Sequence, residues 1–205
     1  DEMKKVFLII ALPVCLVIGQ EQPELPGWGV YVGYGQMSAT GDDFDSDSTT
    51  ATGGPGFGVS KGIWLGAMPL QVGVGLHPRG WKTETEDMGL TSTNDWKLQY
   101  LDLWAQMPYP LGPVFLGIGV NVGMYVGGTV ETQLKGEFLG LEFDESSSED
   151  LASDAFGLDY GINLGMAYPI GDTGAQVGVL YVQGLVESNA GATFNGLFFN
   201  AGYSF

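Results

Sequence analysis

The chain has no run of hydrophobic residues long enough for a spanning helix, its N-terminal apolar stretch included. It is also poor in charge (15% Asp, Glu, Lys and Arg), with seven basic residues, one histidine and one cysteine in 205. Each shortage excludes something. A helical membrane bundle needs about 20 apolar residues per span. Disorder requires low hydrophobicity with high charge density, and this chain is 44% hydrophobic. A formal net charge of −17 repels phosphate backbones, so no nucleic-acid partner is expected. One cysteine leaves no disulfide framework.

What is abundant is glycine, at 34 residues, together with aromatics at 12%. At the N-terminus Met3, Lys4 and Lys5 precede an apolar stretch from Val6 to Ile18, closed by the small residue Gly19. This is the layout of a secretory signal peptide, so residues 1–19 are assigned to upstream residues plus leader, and 20–205 to one domain. Cys15 lies inside the apolar stretch. It is a poor lipid-attachment site, because Val14 is bulky where that motif wants Gly, Ala or Ser.

The rest of the chain alternates. In "VFLGIGVNVGMYV" Val114, Leu116, Ile118, Val120, Val122, Met124 and Val126 share one face, with Phe115, glycines, Asn121 and Tyr125 on the other. "FGLDYGINLGMAY" and "PLQVGVGLHPRG" repeat the pattern. A period of two means strands. About eight such runs occur, near 27–38, 54–66, 69–80, 94–107, 112–127, 154–168, 174–187 and 193–205. They exceed the five or six residues usual in soluble sheets and suit tilted strands crossing a bilayer. Short connections ("AMP", "PYPLG", "PIGDTG") alternate with long acidic ones around 41–54, 81–94 and 128–153. In hydrocarbon an unpaired backbone amide costs several kcal/mol, so the sheet must close. The expected fold is all-β: an eight-stranded antiparallel transmembrane barrel with both termini on the periplasmic side of the bacterial outer membrane.

The stretches "LQYLDLWAQMPYPLGPVFLGIGVNVGMYVGG" at 98–128, "FGLDYGINLGMAY" at 156–168, "LYVQGLVES" at 180–188 and the terminal "NAGYSF" resemble the bacterial outer-membrane β-barrel protein family. The resemblance is to its small eight-stranded, Bacteroidetes-like type. It implies outer-membrane lipid and lipopolysaccharide as partners, and it makes Tyr203 and Phe205 a signal read by the barrel-assembly machinery. It carries over no catalytic residue and leaves the external partner unknown.

Inward charges are few: Arg79, Asp102, Asp159 and His77 form a candidate lumen cluster, either a plug of ion pairs or an ion path. A hydrolase would need His77 beside a serine; the nearest candidate, Ser60, lacks an elbow motif. No enzyme and no cofactor are therefore expected. Lys61 falls on the outward face of its run, which predicts either a bulge at Gly62 that turns it inward or a strand set low enough for the amine to snorkel. In "GDDFDSDST" Asp43, Asp45 and Asp47 alternate as in half a calcium loop, but Ser48 replaces the turn glycine and Gly54 the closing Glu. They are a candidate for weak divalent binding, and a solvated acidic loop is the alternative. The expected role is non-enzymatic, structural or surface-interacting through the acidic loops; the rival is a narrow channel for a small solute.

Overall fold

A computed structural model describes residues 27–41, 44, 49–138, 141–152, 154–188 and 191–205. The assigned leader, Cys15 and the Asp43, Asp45, Asp47 triplet lie outside the described residues. The strands are β1 (Trp28–Thr40), β2 (Thr49–Thr50), β3 (Thr52–Leu65), β4 (Met68–Asp87), β5 (Leu90–Leu111), β6 (Val114–Phe138), β7 (Leu141–Asp150), β8 (Leu158–Pro169), β9 (Ala175–Gly184) and β10 (Thr193–Ser204).

Eight of the ten strands form a closed antiparallel ring. Its order is β1, β3, β4, β5, β6, β8, β9, β10, and the ring shuts where β10 pairs back onto β1 from Gly29↔Ser204 to Thr40↔Thr193. The Phe205 amide extends that seam by donating to the Trp28 carbonyl at 2.8 Å. No strand of the ring keeps an open edge along its paired length, as a hydrocarbon environment demands.

Exposure decides which face is which. Val30, Val32 and Tyr34 on β1, Phe57 and Val59 on β3, Ile118, Val120 and Val122 on β6, and Leu158 to Tyr168 at every second position of β8 point outward and are exposed; Val32 is 63% exposed. The alternate positions are glycine, amides, aromatics and the few charges, and these point inward. A soluble binder of greasy ligands would have the reverse arrangement. The outer belt of aliphatic and aromatic side chains is the surface of a barrel that sits in a bilayer. Trp28, Tyr168, Tyr203 and Phe205 ring one end of it, all half or more exposed.

That end carries the short turns and the chain termini as far as they are described. Gly66 and Ala67 join β3 to β4, with Gly66 at φ 64° as its tight turn requires. At the other end three strands run far past the belt. β4, β5 and β6 have 20, 22 and 25 residues, longer than the sequence pattern predicts. The stretches 81–94 and 128–153, expected as loops, are largely strand: β4 and β5 stay paired to Asp87↔Leu90, and β6 and β7 pair from Thr129↔Asp150 to Phe138↔Leu141. Above the belt both faces meet water, so the alternation of hydrophobicity disappears while the β-branched threonines keep the backbone extended. A bulge at Gln99/Tyr100, with Val126 as the extra residue opposite, falls at the transition.

Lys61 does face outward, and its strand stays in register through Gly62↔Gln71 with no bulge there. It pairs across from Trp28, and its amine lies 4.7 Å from that indole's centroid, in the girdle rather than at mid-depth. The snorkelling alternative is the one adopted.

A lumen in three layers

The first layer, at the short-turn end, is a cavity of about 600 Å3 reached between the strand ends and the turn at Gly171 and Asp172. The second is a set of buried ions. The third is an apolar layer in which Ala39, Trp81, Leu98, Tyr100, Tyr125, Phe156, Ala192 and Phe194 are buried together. Phe44, Trp96, Leu151 and Ala155 pack onto it. Its rings meet edge to face or stacked: Trp81 on Trp96 at 5.1 Å, Tyr125 on Phe156 at 5.3 Å, Tyr100 on Phe194 at 5.8 Å. Such contacts fill this part of the lumen with packed aromatic area.

Candidate functional site

β4 points His77 and Arg79 inward, two residues apart, because alternate positions of a strand share one face and both fall on the face of Gly73 and Gly75. β5 and β8 bring Asp102 and Asp159. The registers Gly75↔Asp102, Asp102↔Gly123 and Gly123↔Asp159 set the two carboxylates level with each other between glycines that leave room for them, and His77 and Arg79, paired with Tyr100 and Leu98, reach them from further along β4. A Cβ on Gly123 would strike the Asp102 carboxylate.

The four residues singled out from sequence form one network. Arg79, 1% exposed, donates from Nη2 to both oxygens of Asp102 at 3.1 and 3.2 Å and from Nε to Asp159 Oδ2 at 2.9 Å. Its Nη1 donates to the Pro78 carbonyl at 3.1 Å, and its guanidinium carbon lies 5.4 Å from the Tyr100 centroid. His77 Nδ1 stands 2.7 Å from Asp102 Oδ2. A fixed planar fork suits this role because it meets two carboxylates from one position.

Two residues of the network were not among the sequence candidates. Tyr31 Oη is 3.0 Å from His77 Nε2, and Trp104 Nε1 donates to Tyr31 Oη at 3.1 Å. An indole can only donate, so the phenol accepts there and its own proton is free to reach the imidazole. The rings reinforce this line: Tyr31 stacks on His77 at 5.7 Å, and Phe198 meets His77 edge to face at 5.0 Å. Alternation places Tyr31 and Trp104 inside, but only cross-strand register shows that they meet His77.

Ser60 does not join them. It accepts from Gln71 Nε2 at 3.3 Å, while both nitrogens of His77 are taken up by Asp102 and Tyr31. The arrangement is Asp–His–Tyr without a serine nucleophile. Among the described residues no group of three or more His, Cys, Asp or Glu is placed to hold a metal. Among the aromatics on the inward face, Tyr31, Trp104, Tyr125 and Phe198 fold across the lumen. Trp64 and Phe115 stand at the short-turn end, 42% and 36% exposed.

Outside the belt the charges are arranged differently. Lys97 Nζ reaches Glu131 Oε2 at 2.6 Å and Asp95 Oδ2 at 3.5 Å on an exposed wall of the β4–β7 sheet. The hydrogen bond to Glu131 holds its amine above the ordinary lysine range, against a smaller opposing effect of desolvation. Carboxylates dominate that wall: Glu84, Glu86, Asp87, Glu142, Asp144 and Glu149 are all exposed.

No protein-family model matches the chain, and no curated protein does. Solved structures do. The crystal structure of neisserial surface protein A (NspA) is matched at TM-score 0.49 and 13% identity over 89% of this chain and 100% of that one. Ail, the attachment invasion locus protein of Yersinia pestis, is matched at TM-score 0.41 and 13% identity over 88% and 99%. The N-terminal β-barrel domain of Pseudomonas aeruginosa OprF is matched at TM-score 0.32 and 16% identity over 89% and 100%. The strand count and the facing of this barrel stand on its own pairing and exposure.

Proposed function

We propose that the chain is an integral outer-membrane barrel of non-enzymatic type, structural or surface-interacting, working through the acidic strands and loops at its long end. The observation that carries this reading is the filling of the lumen. Inside the barrel a buried salt-bridged layer, Arg79 with Asp102 and Asp159, adjoins a packed layer of buried aromatic side chains, an arrangement that favours a plug over a conduit.

The non-enzymatic part is supported by His77, whose ring nitrogens are occupied by Asp102 and Tyr31, while Ser60 bonds to Gln71 instead. In this reading the short turns and the termini face the periplasm, and the acidic wall of β4 to β7 faces outward. Its partners are then outer-membrane lipid around the belt, lipopolysaccharide beside the acidic wall, and the barrel-assembly machinery, which reads Tyr203 and Phe205 on their exposed faces. An outward surface dominated by carboxylates favours a cationic partner and steers it at low ionic strength.

Conductance of the refolded protein in a planar bilayer tests the proposal, once a heat-shifted gel band confirms folding. Silence is the expected result. Discrete, reproducible steps would replace it with the narrow-channel reading and redirect mutagenesis to Arg79, Asp102 and Asp159.

A further inference from the structure

The cavity at the short-turn end meets the ion network at His77 and Tyr31, and the rest of its lining is specific. Five uncharged carboxamides face it: Gln71, Gln106, Asn163, Gln176 and Asn200. Two are held in place, since Gln106 Nε2 donates to Asn163 Oδ1 at 3.1 Å and Gln71 Nε2 to Ser60 Oγ at 3.3 Å. Gln176 and Asn200 have no hydrogen-bond partner among the described residues, and both are screened from full solvent exposure. The aromatic faces of Tyr31, Trp104, Phe115 and Phe198 share the wall.

Glycines seat the amides. A Cβ on Gly117 would strike the Gln106 carboxamide, and one on Gly165 would come within 2.8 Å of its Nε2. One on Gly178 would come within 3.2 Å of Asn200 Oδ1. The amide ends of Gln106 and Asn200 therefore rest against bare backbone, where any side chain would displace them.

From this lining we infer that the cavity is a binding site for a neutral carbohydrate of one or two rings. Each carboxamide presents a donor and an acceptor side by side, which matches the paired donor and acceptor of neighbouring sugar hydroxyls. Aromatic faces cover the apolar C–H side of a pyranose. A volume of about 600 Å3 lies within the range of small-ligand pockets, about 300–1,000 Å3. Charge selects for neutrality: among the described lining residues there is no free cation to hold a phosphate or carboxylate, and Asp172 stands at the mouth.

The test is calorimetric titration of the folded protein in a detergent without a sugar headgroup. Maltose serves as the free-sugar probe, N,N′-diacetylchitobiose as the N-acetylated glycan probe and glucose 6-phosphate as the anionic control. Saturable binding of either neutral probe is expected, and the tighter one identifies the source. Gln176→Ala and Asn200→Ala remove side-chain groups with no partner among the described residues, so the barrel folds, and each weakens binding about fivefold, the worth of one hydrogen bond. The inference is overturned if folded protein binds neither neutral probe, if both variants bind as well as the parent, or if glucose 6-phosphate binds more tightly than both. The conductance result is independent of every one of these outcomes.

Discussion

Asp102 and Asp159 share Arg79 unequally. Asp102 spends both oxygens on it and gives Oδ2 to His77 as well, whereas Asp159 offers only Oδ2 and its buried Oδ1 has no partner among the described residues. Asp159→Asn is therefore the milder change. It removes a buried charge that is half satisfied, while Asp102→Asn disturbs Arg79 and His77 together. Denaturant midpoints of the refolded variants should rank parent, D159N, D102N, with the last two separated by about 1–3 kcal/mol.

Removing the cation is worse. Arg79→Met strands two buried carboxylates, and a loss of about 3–5 kcal/mol is expected in the same refolding assay. Adding Asp102→Asn and Asp159→Asn to that variant should recover most of the loss, because no uncompensated charge then remains. Failure of the triple variant to recover would show that the layer is held by geometry rather than by charge balance.

The exposed pair behaves in the opposite way. Lys97→Ala should shift the midpoint by less than about 1 kcal/mol, since solvent screens the contact to Glu131. The Lys97 amine titrates above its ordinary value in the folded state, so its contribution is present at neutral pH, complete below the unfolded lysine pKa, and lost as pH rises through the raised one. The difference between parent and K97A should therefore vanish only in strong alkali.

Gly58→Ala reaches the site indirectly. A Cβ there would strike the Tyr31 hydroxyl and the Val74 carbonyl, forcing the phenol away from His77. A cost of about 1–3 kcal/mol is expected, together with a changed emission from Trp104, whose indole donates to that phenol.

Phe205→Ala separates assembly from stability. Phe205 is 71% exposed, and its seam bond uses only backbone. The purified, refolded variant should match the parent, while its yield in the outer membrane of cells falls several-fold. Equal yields would remove Phe205 from the assembly signal.

The barrel was legible because each spanning strand repeats two unlike faces, so "VFLGIGVNVGMYV" needs no tertiary information to declare its lipid side. Arg79, Asp102 and Asp159 were legible for the same reason: a charge on the glycine face has nowhere to go but inward. The Asp–His–Tyr line was not, because it joins β1, β4 and β5 through registers that periodicity does not fix. The apolar layer was hidden differently. Trp81 and Phe44 sit in stretches whose polar neighbours read as loop, and Ala192 and Phe156 lie at strand margins. The extended hairpins of β4 to β7 escaped because water on both faces erases the contrast that marks a strand.

The seam between β1 and β10 also sets the order in which this molecule can be made. The twelve paired positions join the first described strand to the last, so the ring cannot shut until almost the whole chain is available. Every strand added before that moment leaves an edge exposed. High contact order of this kind makes folding slow and its intermediates prone to aggregate. A chain with this topology must be kept from pairing prematurely between synthesis and insertion, and its closing step is a single late event at the C-terminal strand.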